Sequence, residues 1–86
     1  MKLKEGFLLR EVAGRIVVVP EGDVLNLNLM ISLNETGRIL WERLDQGASA
    51  QELKEALMEQ YNVDEQLAEA DVQAFIETLN RHGFLE

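Results

Sequence analysis

Residues 24–45 read Val24-Leu25-Asn26-Leu27-Asn28-Leu29-Met30-Ile31-Ser32-Leu33-Asn34-Glu35-Thr36-Gly37-Arg38-Ile39-Leu40-Trp41-Glu42-Arg43-Leu44-Asp45, and the hydrophobic period changes within them. From Val24 to Met30, apolar and polar residues alternate. That spacing puts Leu25, Leu27 and Leu29 on one face of a strand and Asn26 and Asn28 on the other. From Leu33 onward the apolar positions fall at 33, 37, 40, 41 and 44, a helical spacing, with Asn34 as N-cap and Glu35 favourable in the first turn. The change marks a boundary between a sheet and a set of helices, with helix one expected over about 35–45.

The segment upstream is strand-like. Phe7–Val12 and Arg15–Val19 are rich in β-branched and large apolar residues, and Ala13-Gly14 between them is a two-residue hairpin connection. Pro20 ends the second strand because it has no N–H for a ladder, and Glu21-Gly22-Asp23 supplies turn chemistry. Downstream, Gly47 closes helix one. Ser49-Ala50-Gln51-Glu52 matches a capping box ahead of the stripe Leu53, Ala56, Leu57 and Tyr61. Asp64 can cap a third helix whose stripe is Ala68, Val72, Phe75, Ile76 and Leu79. Gly83 follows as C′ residue and Phe84-Leu85 folds back. Three short strands followed by three helices is α+β segregation, and the predicted fold is a three-stranded antiparallel sheet followed by three helices, winged helix-turn-helix-like. At 86 residues the chain is expected to form one domain, 1–86, with a single core.

Function classes fall away on the chemistry. With no cysteine, disulfides, thiolate metal sites and a cysteine nucleophile are excluded. The one imidazole, His82, sits in the last turn of helix three, where a structural or solvent-facing role is expected. No zinc or EF-hand spacing occurs, and the six glycines are isolated and form no phosphate cradle. No catalytic residue, metal or cofactor is therefore assigned. No run approaches a membrane span or a signal peptide, so a cytoplasmic protein with no membrane partner is expected.

The formal charge is −8, and it is unevenly placed. Residues 1–43 are balanced, whereas 44–86 carry only Lys54 and Arg81 against ten acids. A helix-turn-helix raises the question of DNA, but recognition needs cationic helices, and helices two and three are acidic. No nucleic-acid partner is expected. The acidic half reads as solvated helix faces, and also as a wall that steers a basic partner.

What remains is a surface. The third strand of a meander has an unpaired edge, which can accept an extended peptide. On helix three, a rotation of 100° per residue gathers Leu67, Asp71, Ala74 and Thr78 along one flank, less polar than a solvated face.

The segments Lys4-Glu5-Gly6-Phe7-Leu8-Leu9-Arg10-Glu11-Val12, Ile31-Ser32-Leu33-Asn34-Glu35-Thr36-Gly37 with Trp41 and Leu44, and Ala70-Asp71-Val72 leading to Leu79 and Gly83-Phe84-Leu85 resemble the PqqD family over essentially the whole chain. The resemblance implies a non-catalytic, winged-helix-like peptide chaperone of ribosomally synthesised, post-translationally modified peptides. Such a protein holds the leader of a precursor peptide as an added strand between the third β-strand and the third helix. It presents that leader to a radical SAM or other peptide-modifying enzyme, as in pyrroloquinoline quinone synthesis. Carried onto this sequence, the strand side is Leu25, Asn26, Leu27, Asn28, Leu29 and Met30, and the helix side is Leu67, Asp71, Ala74 and Thr78. The Leu33–Gly37 segment is assigned capping and packing in place of ligand contact. A monomer or weak dimer is expected. The competing readings are a winged-helix DNA-binding regulator and a self-associating module that pairs strand edges.

Overall fold

The computed structural model describes residues 2–21 and 31–86. The Ala13-Gly14 connection joins β1 (Phe7–Val12) to β2 (Arg15–Pro20), with φ +52 at Ala13 and +79 at Gly14. Both central residues are left-handed, as a type I′ turn requires, and its twist matches that of the flanking strands. Glycine takes that conformation freely, whereas alanine there costs about 1–2 kcal/mol. The turn fixes Val12 opposite Arg15, and the register runs antiparallel to Phe7 opposite Pro20.

The third strand, β3, is Ile31–Leu33, antiparallel to β2 with Ile16 opposite Leu33 and Val18 opposite Ile31, giving the order β1-β2-β3. The alternating segment Leu25–Met30 lies outside the described residues. Three helices follow: α1 (Glu35–Asp45), α2 (Ala50–Gln60) and α3 (Glu65–Arg81). The sheet-then-helices order is the one expected.

Each helix begins where its cap dictates. Asn34 accepts from the Gly37 N–H at 2.7 Å, and Asp64 accepts from the Leu67 N–H at 2.8 Å. At α2 the capping box is complete: Ser49 Oγ accepts from the Glu52 N–H at 3.1 Å, and Glu52 accepts from the Ser49 N–H at 3.0 Å. The Ser49 backbone N–H, then its hydroxyl, hold the Glu52 carboxyl below its ordinary pKa.

The core lies between the sheet and the helices, with Val18, Leu40, Leu44, Leu53, Leu57, Leu79 and Phe84 essentially inaccessible. Phe84 meets Phe7 and Trp41 edge-on at centroid distances of 4.4 and 5.8 Å. Residues 2–4 and 84–86 close over this seat. Leu3 bridges Leu85, the Phe84 carbonyl accepts from the Lys4 N–H at 2.8 Å, and the Lys2 carbonyl accepts from the Glu86 N–H at 3.0 Å. The apolar return expected of Phe84-Leu85 is thus a core plug held by a β-bridge.

One ion pair ties α2 to α3. The Lys54 ammonium lies 2.8 Å from Glu65 Oε1, its side chain 11% exposed and that of Glu65 66%. The hydrogen bond from Lys54 holds the Glu65 carboxyl below its ordinary pKa and holds Lys54 above its own. The Glu65 contribution is therefore present above the ordinary carboxylate pKa and is lost as pH falls through the lowered value. The Lys54 contribution is present at neutral pH and is lost only as pH rises through the raised lysine value. Exposure of the carboxylate keeps the effect small. Glu65→Gln is expected to lower the melting temperature slightly at pH 7, and the difference from the parent should vanish in acid. A difference that persists unchanged at acid pH would assign the effect to something other than this pair.

Candidate functional site

The hairpin determines which way β3 presents its backbone. In a two-residue hairpin the residues flanking the turn form a hydrogen-bonded pair, and hydrogen-bonded and non-hydrogen-bonded pairs then alternate along the ladder. Val12 and Arg15 are that first pair, so Arg15, Val17 and Val19 direct N–H and C=O toward β1. The alternation carries to the far end, where the Glu21 N–H donates to the Gly6 carbonyl at 2.7 Å. Pro20, opposite Phe7, falls at a non-hydrogen-bonded pair and loses no bond to β1. Ile16 and Val18 must then face β3. Their partners Leu33 and Ile31 face back, leaving the N–H and C=O of Ser32 pointing away from the sheet. Among the described residues β3 is an edge strand, and Ser32 offers the free donor and acceptor.

Side chains of β3 alternate accordingly. Ile31 and Leu33 pack against the core and Ser32 is exposed. Beside this edge runs α3. Between them lies an open cleft of about 310 Å³. Ser32, Leu33 and Asn34 form one wall, and Asp71, Ala74 and Thr78 form the other. Leu40 and Phe75, both part of the core, contribute to its floor.

Gly37 allows the near wall its position. A Cβ there would stand 3.2 Å from Asn34 Oδ1 and 3.3 Å from Leu33 Cβ, so glycine lets the end of β3 and the N-cap approach α1. Thr78 donates its hydroxyl to the Ala74 carbonyl at 3.0 Å, which satisfies its donor within the helix. His82 caps α3: its Nδ1 lies 2.9 Å from the Thr78 carbonyl, and its ring stacks on Phe84.

Of the helix-side residues expected from the sequence, Asp71, Ala74 and Thr78 come together in the cleft. Leu67 is on the same flank one turn earlier, 49% exposed and outside the lining. The strand-side residues Leu25–Met30 lie outside the described residues. Sequence reasoning missed the edge at Ser32 and the double duty of Asn34 and Gly37, which cap and pack but also line the cleft. A signal was available: apolar residues at odd positions continue from Leu25 through Ile31 to Leu33, with Asn26, Asn28, Ser32 and Asn34 among the even ones.

A family model described as coenzyme PQQ synthesis protein D (PqqD) matches residues 14–85. The chain belongs to the PqqD family. Two solved structures share the fold of this PqqD-family chain. TbiB1 in complex with the TbiA(beta) leader peptide superposes with a TM-score of 0.78 at 22% identity, covering 100% of this chain and 95% of the other. Lasso peptide synthetase B1 complexed with the leader peptide gives 0.74 at 22% identity, covering 96% and 93%. No curated protein sequence matches.

Proposed function

We propose that this protein is a non-catalytic recognition element that captures the leader of a ribosomally made precursor peptide as a strand added to β3, and presents it to a separate modifying enzyme. The observation that carries the reading is the N–H and C=O of Ser32, free among the described residues, at the rim of a cleft walled by α3. A strand edge supplies register through backbone bonds, and a neighbouring apolar cleft supplies side-chain selection. Membership of the PqqD family and the leader peptides in the two similar structures support the same occupant.

The partner enzyme is proposed to be of the radical SAM type, in pyrroloquinoline quinone or related peptide synthesis. The whole of 1–86 acts as one binding domain, in the cytosol where the precursor is translated. Catalysis plays no part in this reading: among the described residues the cleft is lined by one carboxylate, Asp71, with no nucleophile–base pair beside it. A DNA-binding role is disfavoured by the acids along α2 and α3, and self-pairing of edges has no observation of its own in its favour. Ordering a leader costs about 2–5 kcal/mol of the gross interaction, so moderate affinity is expected.

The test is amide hydrogen exchange with a synthetic leader taken from a short open reading frame beside this gene. The Ser32 amide should exchange freely alone and become protected when the leader binds. Binding that leaves Ser32 unprotected would move the peptide elsewhere.

A further inference from the structure

Among the described residues, Asp71 is the one ionisable side chain lining the cleft. It is exposed and takes no part in the ion pairs among the described residues, which join Arg38 to Glu35 and Glu42, and Lys54 to Glu65. Residues 22–30, which lead into β3, contain no Lys, Arg or His. Among the described residues the chain thus sets a carboxylate on the wall of a cleft with no other charged lining and gives it no basic side chain as partner.

The spacing of an added strand says what can answer it. Side chains on one face of a strand recur every second residue, about 6.4–6.8 Å apart. Along α3, Asp71 and Ala74 are three residues apart, about 4.5 Å at 1.5 Å per residue. For a strand added along α3 with one inward side chain over Ala74, above Leu40 and Phe75, the inward neighbour arrives within about 2 Å of the level of Asp71. A lysine or arginine stem spans that gap easily and lays its methylenes along the cleft wall while the charged head stays wet. The neighbour on the other side comes level with Thr78, whose hydroxyl proton is already committed to Ala74.

Resting on the leader-binding reading, we propose that Asp71 sets specificity. It selects a leader carrying a lysine or arginine two residues from the apolar side chain that enters the cleft floor. The surrounding charge works in the same direction, because the acidic helical half attracts a basic segment before contact and repels an acidic one. Asp71 makes no bond that the fold needs among the described residues, so its variants should remain folded.

The experiment uses a randomised library of fluorescein-labelled twelve-residue peptides displayed against the full chain. Peptides are kept only if Ser32→Pro weakens them, which confines the set to the β3 edge. Peptides from the parent should be enriched in Lys or Arg at two positions from Leu, Ile or Phe. Asp71→Asn should weaken them roughly two- to fivefold, the range of an exposed ion pair. Asp71→Lys should weaken them about tenfold or more, as like charges meet, and should itself select Asp or Glu at the same position. Edge-dependent peptides with no cationic preference, or with affinities indifferent to Asp71→Lys, would overturn the specificity role and leave leader binding standing. Recovery of no edge-dependent peptide would overturn leader binding, and this inference with it.

Discussion

Replacing Phe84 with alanine is expected to cost about 3–5 kcal/mol, a large share of the roughly 5–15 kcal/mol that holds a domain folded. Phe84 is inaccessible to solvent, and its ring is met edge-on by Phe7 and Trp41. Each such pair adds about 0.5–1.5 kcal/mol beyond the area buried. Its backbone is engaged as well: its N–H donates to the Leu79 carbonyl at 2.9 Å and its carbonyl accepts from Lys4. Truncation removes the plug between the sheet and α1 while those bonds hold the backbone in place, so the cavity cannot easily collapse. Urea unfolding followed by circular dichroism should show the loss, with Phe84→Leu clearly milder because it keeps a branched apolar side chain in the seat. A loss below about 1 kcal/mol for Phe84→Ala would mean that the terminal segment is an ornament on a core that stands without it.

Peptide binding should fail by a different route in Ser32→Pro. Proline removes the one N–H on β3 that faces outward, and it leaves untouched the pairs that Ile31 and Leu33 make with β2. A docked strand would then present a carbonyl with no donor, at a cost of about 1–3 kcal/mol, and would meet the pyrrolidine ring at the rim. Affinity for a leader peptide should fall at least about tenfold, and up to about a hundredfold, since each 1.4 kcal/mol is a factor of ten. The folded state should survive, because proline is tolerated on the free side of an edge strand. Ser32→Ala keeps the N–H and should bind within about twofold of the parent. A folded Ser32→Pro protein with unchanged affinity by titration calorimetry would rule out strand addition at β3.

The two predictions probe parts of the molecule that were unequally legible. Asn34, Ser49 and Asp64 could be named as caps because the bond each one makes is closed within three residues of chain. The Ala13-Gly14 turn was legible for the same reason. The α3 flank of Asp71, Ala74 and Thr78 followed from helical rotation alone. The edge at Ser32 did not, because alternation says that a strand exists and says nothing about where its pairing with β2 begins. Its outward parity depends on a ladder counted from a turn eighteen residues away. Asn34 and Gly37 escaped notice as cleft residues because their local roles already accounted for them. Leu67 was grouped with the flank by angle, and among the described residues it is not part of the cleft lining.

The bridge between Leu3 and Leu85 has a practical reading. Residues paired across an antiparallel bridge have Cα atoms about 4.5–5.5 Å apart, so the described chain leaves and returns at one point. In engineering terms the molecule is a cassette. Residues 3–85 can be spliced into a loop of a host protein without prising the loop apart, because the two junctions at Leu3 and Leu85 lie side by side.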